Sequence, residues 1–272
     1  MSEKITVEFL NGLTSLSVDI AKQLELSERY NLQLNGLTEL SVEVAKELAQ
    51  SKGSDLQLNS LTELSVDVAK ELATWEGRSL FLNGLTELSV DVMKELATWE
   101  GYELELYLNG LTDLNGDAAK ELAHWGGTYL NLDGLTSLRV DVAKELAKWI
   151  GSSREGSSLN LNGLTSLRVD VAKELVKWHG DYLALHSLTE LSVEVAKELA
   201  KWGGISLNLD GLTSLRVEVA KELAQSKGSE LQLNGLTELS VDVAKELVVL
   251  WKRGFLYLND HCESIMNSIK DQ

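Results

Sequence analysis

The segment Leu56-Gln57-Leu58-Asn59-Ser60-Leu61-Thr62-Glu63-Leu64-Ser65-Val66-Asp67-Val68-Ala69-Lys70-Glu71-Leu72-Ala73-Thr74-Trp75-Glu76-Gly77 decides how the chain folds. Leu56 to Asn59 alternates apolar and polar side chains, the period of a half-buried strand, as do Leu130 to Asp133 and Leu231 to Asn234. A glycine then permits a sharp turn in many copies, as at Gly84, Gly110 and Gly235. From Ser65 onward Val68, Leu72 and Trp75 fall at i, i+4 and i+7, with Ala69 and Ala73 beside them, so one helical face is apolar. Ser65 is placed as an N-cap, Asp67 suits the positive end of the helix dipole, and Gly77 stands where a left-handed terminating residue is wanted. The expected unit is a strand, a turn and a helix of about three turns.

The unit recurs. Leu-Thr returns with its threonine at 14, 38, 62, 86, 112, 136, 165, 189, 213 and 237, spaced by 24 except for one spacing of 26 and one of 29. One copy cannot bury its own apolar face, but stacked copies share a continuous core, so stability becomes a sum over units and their neighbours. The reading is an α/β solenoid and a single domain over residues 1–272, with repeats over 8–259 and a C-terminal capping helix over 260–272. The longer spacings mark insertions at Gly151 to Ser158 and around Tyr102 to Glu105.

The Leu-x-Leu strand, the leucines after it and the helical return resemble the leucine-rich repeat superfamily. The Gly-Leu-Thr-x-Leu-Ser signature is similar to a bacterial subgroup with repeats of this length. The resemblance implies a right-handed array with parallel strands on a concave face and helices on the convex face, used to bind proteins or other ligands. One departure concerns the buried asparagine ladder of the superfamily: Leu37, Leu61 and Leu85 occupy its place. The threonine column is therefore expected to supply the turn's hydrogen bonds.

Composition limits the partners. With 25 Lys+Arg against 42 Asp+Glu, the formal charge of -17 argues against nucleic acid and anionic lipid, since phosphate binding requires a basic face. No apolar run approaches the roughly 20 residues that span a bilayer, and Met1 to Ile5 begins no signal-like segment. The expectation is a soluble, cytoplasmic protein. The one cysteine, Cys262, leaves no internal disulfide.

No residues assemble into a reaction centre. His124, His179, His186 and His261 lack metal-ligand spacing, and no nucleophile recurs beside them, so neither enzyme activity nor a cofactor is expected. The seven tryptophans Trp75, Trp99, Trp125, Trp149, Trp178, Trp202 and Trp251 hold nearly one place in the unit, on the buried side. Ser51 and Ser226 stand at that place in the two Gln-Ser-Lys-Gly units. Arg139, Arg168 and Arg216 replace the capping serine, and stacking is expected to set Glu190 between Arg168 and Arg216. Asp260 and Glu263 are spaced as a capping box for the last helix, which would seal the core with Ile265, Met266 and Ile269. Ile5, Val7 and Phe9 alternate as a first strand would, with an exposed edge open to self-association.

Binding is read from the outward strand column, which runs Gln33, Gln57, Phe81, Tyr107, Asn131, Asn160, Ala184, Asn208 and Gln232. Two adjacent units present aromatics among amides, and aromatics ringed by polar groups are the usual make-up of a binding hot spot. The candidate residues are Phe81, Tyr107, Tyr129, Asn131, Asp133, Tyr182, His186 and Asp210. The expected function is a non-enzymatic scaffold for a protein or peptide. The rival readings are a surface adhesion module for carbohydrate or ice and a secreted effector.

Overall fold

The computed structural model describes residues 7–25, 31–151, 156–226 and 230–269. They fall in two compact units, Met1–Gly134 with Gly151–Arg154 and Leu135–Ile150 with Glu155–Gln272. The first unit begins with α1 (Val7–Asn11) and α2 (Val18–Glu25) and continues as β1 (Asn31–Gln33), α3 (Val42–Leu48), β2 (Asp55–Gln57), α4 (Val66–Leu72), β3 (Ser79–Phe81), α5 (Val90–Leu96), β4 (Glu105–Tyr107), α6 (Gly116–Leu122) and β5 (Tyr129–Asn131). The second runs α7 (Val140–Leu146), β6 (Ser158–Asn160), α8 (Val169–Leu175), β7 (Tyr182–Ala184), α9 (Val193–Leu199), β8 (Ser206–Asn208), α10 (Val217–Leu223), β9 (Glu230–Gln232), α11 (Val241–Lys252), β10 (Leu256–Tyr257) and α12 (Asp260–Ile269). Within each unit every strand pairs in parallel with the next in sequence, like residue opposite like, so that Leu32, Leu56, Leu80, Leu106 and Leu130 form one row. Each unit is an α/β repeat solenoid.

The core consists of columns. In the quoted copy Leu56, Leu58, Leu61, Val68, Ala69, Leu72 and Trp75 are all buried. Burial of each large apolar side chain stabilises by about 1.5–3 kcal/mol relative to exposure. The helices are shorter than the expected three turns. The backbone N–H of Thr74 bonds to Glu71 O and that of Trp75 to Leu72 O, three residues back instead of four, and this tightening ends the regular helix at Leu72.

The tightened turn folds the indole back into the core. Trp75, Trp99 and Trp125 stack in the first unit with ring centroids 5.9 and 6.1 Å apart, and Trp149, Trp178 and Trp202 do so in the second at 5.6 and 6.1 Å. Trp99 Nε1–H donates to Trp75 O at 2.8 Å, and Trp178 and Trp202 repeat the bond to Trp149 O and Trp178 O at 2.8 and 3.0 Å. These three buried donors are thereby paired with the copy before them. Trp251 departs from the column. Because α11 continues to Lys252, Leu250 occupies the buried place and Trp251 is half-buried.

Two glycine positions are fixed by space. A Cβ on Gly84 would lie 2.4 Å from Asn59 O and 2.5 Å from Leu61 O, because the preceding turn stacks directly beneath it. Gly77 ends no helix. The C-cap is Ala73, in right-handed conformation, and a Cβ on Gly77 would lie 2.0 Å from Cζ2 of Trp75.

The asparagine column, not the threonine column, forms the ladder. Asn11 Oδ1 accepts from Asn35 N, Asn35 Oδ1 from Asn59 N and Asn59 Oδ1 from Asn83 N, each at 3.3 Å, and Asn83 Oδ1 accepts from Asn109 N at 3.0 Å. The ladder has moved to the residue just after the second strand leucine, while Leu37, Leu61 and Leu85 stay in the core. The threonines are exposed and stack mainly through main-chain bonds, as between Thr38 N and Thr14 O at 3.3 Å.

Ser65 caps α4 through a bond from Val68 N to its Oγ at 3.2 Å, whereas Arg139, Arg168 and Arg216 offer no side-chain cap. Among the described residues no ion pair joins these arginines to Glu190. Arg139 pairs with Asp141 at 3.2 Å and Arg168 with Asp170 at 2.6 Å, each on its own helix, while Arg216 Nη2 donates to Leu191 O at 3.3 Å.

Both ends differ from the sequence expectation. Val7 to Asn11 is helical, so the strand expected there is absent and the edge proposed for self-association does not form from these residues; Ile5 lies outside the described residues. Instead α1 buries Leu10 and packs on β1. At the other end α12 covers the core, with Asn259 rather than Asp260 as its cap. Asn259 Oδ1 accepts from Cys262 N at 3.1 Å, and Cys262, Met266 and Ile269 are buried.

Candidate functional site

The outward side chains of β1–β5 form columns on the strand-lined face of the first unit. In the second column Phe81 and Tyr107 are register partners, and their rings stack with centroids 4.1 Å apart and planes 11° from parallel. Tyr129 lies one strand on in the first column, and its ring meets that of Tyr107 diagonally at 5.1 Å and 39°. The result is a continuous half-buried trio on three neighbouring strands, with each such pair contributing about 0.5–1.5 kcal/mol beyond its buried area.

A polar network fixes the trio. Glu105, two residues before Tyr107 and on the same face, accepts from Tyr107 Oη at 3.0 Å, from Ser79 Oγ at 3.0 Å and from Arg78 Nη2 at 2.8 Å. Arg78 also approaches Glu103 at 3.5 Å, and Glu103 adopts a left-handed φ of 52° inside the short insertion between α5 and β4. Burial, and then the hydrogen bond to Glu105, raise the Tyr107 phenol well above its ordinary value, so it stays a neutral donor.

On one side of the trio the face is built from amides. Asn11 Nδ2 donates to Gln33 Oε1 at 3.2 Å and Asn35 Nδ2 to Gln57 Oε1 at 3.0 Å. The row stops at Phe81, which has no acceptor to offer, and Asn59 Nδ2 turns back to Asn35 Oδ1 at 2.8 Å.

Two of the residues expected to bind also bond to the turns. Asn131 is only 6% exposed and its Oδ1 accepts from Asp133 N at 3.0 Å. Asp210 replaces asparagine in the ladder, accepting from Asn234 N at 2.7 Å and from Asn208 Nδ2 at 3.1 Å. A short polar side chain at these places has main-chain donors within reach and is drawn to them. Asp133 is half-buried beside Asn131. Tyr182 and His186 are exposed on the second unit's strand face, with Ala184 between them in sequence.

Sequence reasoning missed Glu105, Arg78 and Ser79, although Glu105 stands at strand period from Tyr107 and could have been found by it. It also missed Tyr257, which continues the second column beyond Gln232, is 44% exposed, and has its phenol raised by the neighbouring Glu230 carboxylate. An open groove of about 430 Å³ lies on the second unit between Leu191 and Leu215, flanked by Glu190 and Arg216. Among the described residues no group of three or more His, Cys, Asp or Glu could hold a metal ion, and no helix is long and apolar enough to cross a membrane.

No protein-family model and no curated protein matches the chain. The chain is similar to the leucine-rich repeat-containing protein LegL7 from Legionella pneumophila, at 19% identity and a TM-score of 0.64 over 93% of this chain and 94% of that one. A weaker likeness, at 14% identity and a TM-score of 0.45, covers 93% of this chain and 79% of a chain in the Rad7 and Elc1 complex of yeast. The first likeness shows a fold of the leucine-rich repeat type.

Proposed function

We propose that this chain is a non-enzymatic scaffold that binds a protein or peptide on its strand-lined face, anchored by Phe81, Tyr107 and Tyr129. The observation that carries this reading is the stacked trio itself. Three aromatics share one face outside the buried core, stacked on one another, with Tyr107 held by Glu105, which Ser79 and Arg78 hold in turn. Rigid aromatics with a hydrogen-bonded rim lose little freedom on binding, so their contact area converts efficiently into affinity. Stacked repeats supply the extended surface such partners use, and the repeat fold shared with LegL7 supports the assignment. The Gly-Leu-Thr-x-Leu-Ser signature supports membership of the bacterial subgroup. Tyr182 and His186 form a smaller contact on the second unit.

Photo-crosslinking tests the reading. With a photoreactive amino acid at Gln57 or Asn83, beside the trio, the protein is expected to capture a discrete polypeptide from its native host. The double variant Phe81→Ala/Tyr107→Ala should lose that product while keeping its far-ultraviolet circular dichroism. Equal capture by the variant would remove the trio from the interface.

A further inference from the structure

We infer that the segment bound by this face is basic, an arginine- or lysine-bearing stretch whose cationic head rests on the outer face of Phe81 beside the Asp55 carboxylate. The inference rests on the binding reading above and names the chemistry of the partner.

Three independent features converge. The first is the direction of the stack. Phe81 and Tyr107 are register neighbours with nearly parallel rings, so the stack runs along the sheet and the ring face of Phe81 away from Tyr107 looks toward β2. There its own register partner is Gln57, and Asp55 stands in the next column as the partner of Ser79. An aromatic face with a carboxylate in the neighbouring column is an arrangement that suits a guanidinium or ammonium group.

The second feature is the electronic state of the rings. Tyr107 donates its phenolic proton to Glu105 at 3.0 Å, which leaves its ring electron-rich beneath the stacked ring of Phe81. A hydrogen bond of this polarity favours a cation and disfavours an electron-rich guest.

The third is the absence of outward cations from the strands. The outward positions of β1–β5 carry no lysine or arginine, whereas α3–α6 each carry a lysine in the last turn together with acidic residues. Asp55, Glu105 and Asp133 stand on that face, with Arg78 at its rim paired to Glu105. The chain itself supplies a precedent: Arg78 reaches the rim and gives its guanidinium to Glu105 at 2.8 Å. In the second unit Arg253 lies over the Phe255 ring at 4.7 Å.

The test is selection of random phage-displayed peptides on the intact chain, with counter-selection on Phe81→Ala/Tyr107→Ala, which keeps the same net charge. Enriched peptides are expected to carry arginine or lysine and to bind Asp55→Asn about tenfold more weakly. Asp67→Asn, which removes an equal charge from the helical side, should bind them as the parent does. Basic peptides held equally by parent, Asp55→Asn and Asp67→Asn would report only the general acidity of the chain and overturn the inference. Enriched peptides that are neutral or acidic yet depend on Phe81 and Tyr107 would overturn the basic partner and leave the binding reading standing. If selection yields nothing that depends on the trio, both fall.

Discussion

Trp75 and Gly77 share one volume: the indole lies where a side chain on Gly77 would begin, its Cζ2 2.0 Å from the position of a Cβ. Replacing Gly77 by Ala must displace a buried ring that is stacked on Trp99, at a cost of about 1–3 kcal/mol. Gly126, one residue after Trp125, has nothing within 4 Å of a Cβ, and its alanine variant should lose no stability. Urea midpoints of the two variants provide the comparison; a harmless Gly77→Ala would show that the ring can swing out freely.

The asparagine ladder predicts a second asymmetry. In Asn59→Ala the N–H of Asn83 loses its acceptor and Asn35 Oδ1 loses the Nδ2 donor, which should cost about 1–3 kcal/mol. Asn59→Asp keeps the acceptor, as Asp210 does for Asn234, and should lose measurably less in the same denaturation experiment. Equal losses would mean that the acceptor contributes nothing.

Missing caps offer a gain. Arg168 precedes α8 with the extended backbone of an N-cap but makes no capping bond, and its pair with Asp170 is largely solvent-exposed. Arg168→Ser should add a cap worth about 0.5–2 kcal/mol and forfeit a surface ion pair worth about 0–1 kcal/mol. A raised melting temperature is the expected result, and an unchanged one would indicate that Asp170, whose Oδ1 already accepts from Val171 N at 3.0 Å, serves that helix end.

Tyr107 gives the fold an alkaline dependence. Its phenol is raised above the ordinary 10.0 by burial and by the bond to Glu105, so the folded state holds the proton more tightly than the unfolded one. The corresponding stability is whole below pH about 10 and is lost as the pH climbs toward the folded value. Denaturation midpoints measured from about pH 8 to pH 11 should therefore fall less steeply for Tyr107→Phe than for the parent. Parallel curves would show that this phenol does not contribute.

The repeat unit was legible because many copies of one string must pack alike. The Ser65 cap, the buried tryptophans and the outward Phe81–Tyr107 column all follow from helical or strand period. The Asn35–Asn59–Asn83 ladder did not, because its bonds run to the preceding copy and require turns stacked within bonding distance. Val7 and Phe9 alternate with Glu8 as a strand does, yet the segment is helical. Trp251 looks like another member of its column until α11 is seen to run on past Leu250. At the site, the period located the aromatics but not Arg78, which lies just before β3 and reaches Glu105 on the next strand. Asn131 and Asp210 have the right spacing to face outward, but spacing alone does not show that they also accept from the main-chain N–H groups of Asp133 and Asn234.

The stacked indoles carry a spectroscopic consequence. Rings of one kind held nearly parallel about 6 Å apart, as Trp178 and Trp202 are at 6.1 Å and 11°, behave as exciton-coupled chromophores whose splitting vanishes once neighbours tilt or separate. Within each unit the tryptophan row is thus a built-in gauge of register, reporting on the fraying of single copies while the rest of the array stays folded.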